Sequence, residues 1–473
     1  MARTQQSHTD LLNRRWDVIV AGGGNAGLCA AISARDAGAS VLVLETSPRF
    51  YRGGDTRHTR NFRLAHTGPN PIFSGDYPED EFWLDLCRAC GETIDEELAR
   101  FVISESGDLW RFYLQHKVAF QKALSGTLSL GRSNAFFLGG GRAMLNSLYA
   151  AAERKGVHFL YDCEVVSLGI ANNSFGHAVV SLGGVKGVVE ARALVGAAGG
   201  FQANIEWLKR YWGSAAANFS IRGTKYNTGN VLADLLTNGA AAVGDPTQFH
   251  AVAVDARSPK FDGGIVTRLD CIPFGIVVNQ LGDRFYDEGE DFWPKRYAIW
   301  GRLIAQQPNQ VAFALFDSQS VGRFIPPVFP PLKANSVDEL AILMAVEAGP
   351  LTRTIAKFNR ALSPGSFDPT ALDNCSTRDL DPPKSHWALP IEKPPFFAIP
   401  LCPGITFTYL GVKIDRWARV VTCDGSAIPN VFSAGEMMAG NILPKGYIAG
   451  IGMTIGGVFG RLAGRGEARY ALN

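Results

Sequence analysis

The chain has almost no charge asymmetry: 46 Lys and Arg stand against 44 Asp and Glu over 473 residues, a formal net charge of +2. A near-neutral protein projects no global field that would gather nucleic acid or an anionic membrane, so no nucleic-acid partner is expected. Long apolar runs are missing too. No window offers the ~20 uncharged apolar residues of a membrane-spanning helix, and the polar opening MARTQQSHTDLLNRRWD lacks the apolar stretch of a secretory signal. Cysteine is sparse, eight in all, and only Cys87 and Cys90 lie close together, as C-R-A-C. No second pair or nearby His completes a zinc set, so no metal site is expected. Free thiols are expected instead, with the reducing cytoplasm as the location.

What is present is the material of a large globular protein. Hydrophobic residues make up 46% and charged residues 19%, and the length exceeds what one core usually supports. Residues 16–21, WDVIVA, read as a strand, LCAAISARDAG as a helix with Gly38 as its C-cap, and SVLVLE as a second strand. This compact β-α-β unit predicts an α/β, doubly wound parallel sheet. Residues 79–125 and 141–155 carry helical patterning. HAVVSLGG and GVVEARALVGAAGG read as a hairpin that returns the chain to the first sheet near residue 200. Between 245 and 407 proline and aromatics become frequent, predicting a loop-rich α+β insertion. A small-residue helix, GYIAGIGMTIGGVFGRLAG, then packs back on the sheet. The expected organisation is a Rossmann-like nucleotide domain of residues 1–244 and 408–473, split by a capping domain of residues 245–407.

Gly22, Gly24 and Gly27 form G-x-G-x-x-G between strand and helix, with Asn25 and Ala26 opening the helix. Glycines there permit a tight turn and close approach of a pyrophosphate, and the helix N-terminus adds partial positive charge. Glu45, at the end of the next strand and followed by Thr46, sits where an acid accepts a hydrogen bond from a ribose hydroxyl. The motif alone does not choose between NAD and FAD.

Three further stretches, GGDTRHTRN at 53–61, SAGE at 433–436 and TIGGVFGRLAG at 454–464, resemble the FAD contacts of the fumarate reductase and succinate dehydrogenase flavoprotein superfamily. Within it, RGGDTRHTRN, RFYDEGEDFWPKRYAIWG, PGITFTYLGVKID and AGNILPKGYIAGIGMTIG are most similar to the FAD-dependent tricarballylate dehydrogenases. The resemblance implies FAD held at Gly53, Gly54, Asp55, Thr56, Val165, Ala198, Gly199, Gly435, Glu436, Gly452, Thr454 and Ile455, besides the first turn. Glu436 is to bind the ribityl hydroxyls. The position of the flavin-linking histidine of succinate dehydrogenases falls near Thr56, not at His58, which implies a noncovalent cofactor.

The same resemblance implies a small-molecule site between cap and flavin, where hydride passes to flavin N5 and a cap or C-terminal residue moves a proton. His250 falls at a substrate-binding histidine. The proton-donating arginine of fumarate reductases falls at Phe292 or Trp293, leaving Arg296 and Lys295 as nearby cations. Thr406 replaces a second histidine beside Tyr409. Lys445, Gly446 and Tyr447 occupy the place of a carboxylate-binding arginine. Arg296, Tyr447 and His250 are therefore the catalytic candidates, and Lys295, Thr406, Tyr409 and Lys445 the substrate-binding ones. The expected activity is dehydrogenation or reduction of a C–C bond next to a carboxylate or carbonyl. Two alternatives stay open: a ketosteroid-dehydrogenase-like desaturase, since Tyr447 precedes IAGIGMTIG, and an electron-transfer subunit feeding a membrane haem or iron–sulfur partner.

Overall fold

The computed structural model describes residues 10–91, 93–123 and 130–473. Strand β1 (Trp16–Ala21) is apolar at almost every position and buried on both faces, which commits it to the middle of a parallel sheet. Helix α1 (Asn25–Asp36) follows and leads to β2 (Val41–Leu44), which pairs parallel with β1. Two helices, α2 (Glu79–Cys90) and α3 (Glu96–Gln115), replace the continuous helical stretch that the pattern suggested. The break comes at Gly91, whose φ of +74° no helix accommodates. Helix α4 (Gly140–Arg154) then feeds β3 (His158–Leu160), parallel to β2.

A meander of β4 (Cys163–Ala171), β5 (Ser174–Leu182) and β6 (Val185–Gly196) returns the chain to β1, and β6 pairs parallel with it. The chain then builds a second, mostly antiparallel sheet from β7 (Phe249–Asp255), β8 (Ile276–Asn279), β9 (Ala312–Asp317) and β10 (Phe396–Thr408). Strand β10 is its spine, bonded to β7 and β9. Ser220–Ile221, on the nucleotide side of the expected boundary at 244, also pairs with it. Finally β11 (Arg419–Val421) and β12 (Ala427–Ser433) rejoin the first sheet, β12 lying parallel to β6. The order is β11-β12-β6-β1-β2-β3.

The last helix, α5 (Ile451–Leu472), explains its glycines by contact. A Cβ at Gly460 would stand 2.4 Å from the Ala26 carbonyl oxygen, and one at Gly464 2.2 Å from that of Ala30. The two helices thus approach backbone to backbone. Asn25 fastens them at the cavity end: its amide N–H donates to Thr56 Oγ1 at 3.1 Å, its Nδ2 donates to the Met453 carbonyl at 2.9 Å, and its Oδ1 accepts from the Tyr113 hydroxyl at 2.7 Å. Asn25→Ala removes two buried hydrogen bonds and leaves the Tyr113 hydroxyl buried and unpaired, at about 1–3 kcal/mol. The expected result is a clear fall in thermal midpoint; an unchanged midpoint in differential scanning fluorimetry would show that this clamp does not hold the helices.

Candidate active site

One elongated cavity runs along the C-terminal ends of β1, β2 and β6, between the two sheets. At one end, Glu45 is buried and its carboxylate accepts from the backbone N–H of Gly23 at 3.0 Å and of Ser47 at 2.9 Å. The acid therefore shapes the turn as well as facing the cavity beside Thr46 and Val165. Gly22 has φ +106°, and a Cβ there would meet the Ala197 carbonyl at 2.3 Å. At Gly23, a position outside the glycine pattern, it would strike the Tyr149 hydroxyl at 2.2 Å. Gly24 differs. Its Cβ would find nothing nearer than 3.5 Å, although the residue caps α1 and lines the cavity. Protein packing does not require glycine there, whereas a pyrophosphate against the helix N-terminus does. The cradle fits a dinucleotide.

Along the cavity's middle lie Gly53, Gly54, Asp55, Thr56, Ala198, Gly199, Gly435 and Glu436. Asp55 and Glu436 are joined through Gln202, whose Nε2 donates to Asp55 Oδ2 and, at 3.4 Å, to Glu436 Oε2. Glu436 Oε1 accepts from the Thr408 N–H at 2.8 Å and from the Thr408 hydroxyl at 3.2 Å. Burial, with Asp55 close by, pushes the Glu436 carboxyl up to about 8. Asp55 is raised as well, chiefly by burial, against a Thr224 N–H that holds its Oδ1. At neutral pH this pair holds a proton.

The far end is cationic. Arg222, Arg268, His250 and Tyr297 are each less than a tenth exposed, and Arg60 and Tyr447 join them in the lining. Arg222 Nε donates to Thr406 Oγ1 at 2.7 Å, and Arg268 Nη2 pairs with Asp270 at 2.6 Å. Yet Nη1 of Arg222, Nε and Nη2 of Arg60, Nε of Arg268 and Nε2 of His250 are buried without a hydrogen-bond partner among the described residues. Burial and neighbouring Arg268 draw Arg60 down to about 10, and burial does the same to Arg222. His250 is held well below the usual imidazole range by burial and by Arg222 and Arg268, so it is neutral at pH 7. Its ring stacks on Tyr447 with centroids 3.9 Å apart, and the Tyr447 hydroxyl accepts from the Gly452 N–H at 3.1 Å. Burial raises the Tyr447 phenol above its ordinary value.

Several expected site residues lie elsewhere. Arg296 is not in the lining: its guanidinium is taken by Glu290, at 2.8 Å from Nε, and by the Tyr286 hydroxyl, at 2.8 Å from Nη2. Lys295 is paired with buried Asp85 at 2.6 Å. Lys445 is exposed, against Gly91. Tyr409 is fully buried outside the lining. On the cofactor side, Gly27 packs on the Gly22 carbonyl, Thr454 donates to the Arg63 carbonyl and Ile455 is core, so these three act behind the cavity wall. His58 faces the cavity with Nε2 on Asp262 at 2.8 Å. The pattern missed Arg60, Arg222, Arg268, Tyr297 and Gln202. Arg222 and Arg268 carried one faint signal, a charge next to buried apolar residues in S-I-R-G-T and V-T-R-L-D.

A doubly wound sheet, a glycine cradle on a helix N-terminus and an enclosed site beyond it define a dinucleotide-binding protein. The FAD binding domain family matches residues 17–444, so the chain belongs to that family and FAD is its cofactor. It is 26% identical to an NADH:acrylate oxidoreductase of Vibrio harveyi, over 95% of this chain and 50% of the relative. It is 27% identical to a 4-oxocyclohex-2-ene-1-carboxylate 5-dehydrogenase of Sinomonas cyclohexanicum, over 70% of this chain and 60% of the relative. The chain thus spans about half to three fifths of these relatives. Its fold matches the open conformation of a flavocytochrome c3 fumarate reductase with a TM-score of 0.74, at 21% identity, over 100% of this chain and 81% of that one.

Two outcomes are expected. Acid precipitation is expected to release the flavin into the supernatant, since the resemblance puts Thr56 and not His58 at the linking position; colour kept in the pellet would overturn noncovalent attachment. Because the folded Glu436 carboxyl is raised, the native state holds a proton that the unfolded chain has already released. Stability is then lost as pH rises from the ordinary carboxyl range toward about 8. Glu436→Gln should flatten that decline in the thermal midpoint; an identical slope in the variant would place the titration on another group.

Proposed function

We propose that the protein is an FAD-dependent oxidoreductase that dehydrogenates or reduces a C–C bond next to a carboxylate or carbonyl, with an organic acid as substrate. The observation that supports this most is the set of unpartnered N–H groups on Arg60, Arg222 and Arg268. Three guanidiniums face one cavity, where Asp270 pairs with Arg60 and Arg268 but not with Arg222. A buried charge without a partner costs several kcal/mol, which substrate carboxylates offset by bidentate bonding to a guanidinium. A tricarballylate-like acid with several carboxylates suits the charge count, and the resemblance in RGGDTRHTRN and AGNILPKGYIAGIGMTIG points the same way.

FAD, when bound, supplies the acceptor or donor of the hydride. The chain's own residues orient the acid, exclude water and move the proton. Arg222, drawn down to about 10, is a stronger acid than a free guanidinium, while Tyr447 is a weaker acid than a free phenol. Arg222 is therefore the better proton donor of the two. Tyr447 fits a second contact: its oxygen accepts from Gly452, the second residue of α5, so its proton is directed outward, where it can polarise a carbonyl. That geometry favours the ketone reading as a variant on the same site, and a relative whose named substrate carries both an oxo group and a carboxylate supports it.

The test is anaerobic mixing of the holoenzyme with tricarboxylates, unsaturated acids and cyclic ketones, following bleaching of oxidised flavin or recolouring of photoreduced flavin. A response to acids is expected, and silence across the panel rejects the reading. With the responding acid, Arg222→Gln should lose about a hundred- to ten-thousandfold in kcat/KM, the worth of a positioned proton donor. Arg296→Ala should leave kcat/KM unchanged, and the opposite ranking would restore Arg296 to the site.

A further inference from the structure

Outside the cavity, four arginines gather on one face. Arg49, Arg52, Arg57 and Arg142 surround a surface hollow shared with Phe50, Asn146 and buried Leu145. Phe50 is 63% exposed and the neighbouring Tyr51 43%. The guanidiniums are held in place: Arg57 donates to the Phe50 carbonyl at 2.7 Å and lies 5.6 Å from the Phe50 ring, Arg142 lies 5.2 Å from the same ring, and Arg52 sits 4.0 Å over Tyr149. Glu153 is the acid that reaches the cluster among the described residues, at 3.7 Å from Arg49 and 3.9 Å from Arg52. Burial, and after it repulsion from Arg142, lowers Arg57. Like charges are thus concentrated here against an overall balance near zero.

The placement gives the patch its meaning. Arg57 belongs to the turn Gly54–His58, whose other residues line the cofactor cavity. Leu145 of the hollow lies directly under Gly53 of the cavity, where a Cβ would meet its Cδ1 at 2.3 Å. One turn of backbone therefore separates the patch from the cofactor cavity. Arginine, tyrosine and phenylalanine are the residues enriched at protein interfaces, and an ordered guanidinium set selects carboxylates. We infer that this face docks an acidic electron-carrier protein, which exchanges electrons with the cofactor through the Gly53–His58 turn. The balance closes with such a carrier as co-reactant: the reduced flavin passes one electron to each of two one-electron centres, is reoxidised, and releases its protons to solvent. The inference stands independently of which acid the inner site takes.

The experiment mixes anaerobically photoreduced holoenzyme with the oxidised, acidic soluble domain of cytochrome b5, with basic cytochrome c as the charge control. Reduction of the acidic cytochrome should slow by about tenfold or more from low to high salt, because steering between opposite charges is screened. Arg57→Glu/Arg142→Glu should bring the low-salt rate down to the high-salt level and speed reduction of cytochrome c. Arg142→Glu alone, at an exposed position, should move both rates the same way by a smaller factor. Complex formation with oxidised holoenzyme at low salt, read by co-sedimentation, should be lost in the double variant while flavin content is kept. A rate indifferent to salt and to charge reversal, or no transfer to the acidic cytochrome, overturns the inference. So does patch-dependent binding to phosphatidylglycerol vesicles without binding to the cytochrome, since the occupant would then be a membrane surface.

Discussion

The backbone turn between β1 and α1 is the constraint on which the remaining architecture depends. From Gly22 to Asn25 the chain passes so close to its neighbours that side chains are excluded at two successive positions: the Ala197 carbonyl stands against Gly22 and the Tyr149 hydroxyl against Gly23. Glu45 and Asn25 then hold the turn from its two sides, one through the Gly23 N–H and the other through Tyr113 and the Met453 carbonyl. The Asn25–Met453 bond joins residues 428 positions apart. The C-terminal helix is thereby tied to the first turn, and its stripe of small residues follows from the contact with α1 rather than from any need for flexibility.

A second constraint is electrostatic. The chain gathers Arg60, Arg222 and Arg268 into one buried space and leaves several of their donors unmade. It also buries Asp55 and Glu436 close enough that the pair retains a proton. Both arrangements oppose folding taken by themselves. A protein selected for stability alone would fill these places with apolar residues, so the exceptions mark where ligands contribute the missing partners.

How far this was legible in the sequence depends on the range of each interaction. The β1-turn-α1-β2 unit is local: Gly22, Gly24, Gly27 and Glu45 lie within two dozen residues, and the spacing of small and apolar residues determines it. The parallel sheet followed from period, whereas composition indicated only a loop-rich α+β segment where the structure builds an antiparallel sheet on β10. The cations of the cavity's far end were hard to read because Arg60, Arg222 and Arg268 come from three separate segments with little local signal. Arg296 looked the better candidate by position, since nothing in FWPKRYAIW reveals that Glu290 and Tyr286 would occupy its guanidinium. Gly23 shows the reverse case, a position the motif leaves free and the packing does not.

The two sites are joined by one strand. Within β10, the Thr406 hydroxyl accepts from Arg222 of the cationic end, and the Thr406 carbonyl accepts from Gln202, which also holds Asp55. Two residues on, the Thr408 N–H and hydroxyl hold Glu436. Strand β10 is also the spine of the second sheet, bonded to β7, which carries His250. A displacement of the second sheet therefore cannot move His250 and Arg222 alone; it pulls on the hydrogen bonds that position Asp55 and Glu436. The cationic end and the cofactor-side carboxylates are thus linked through β10 by a contiguous set of hydrogen bonds.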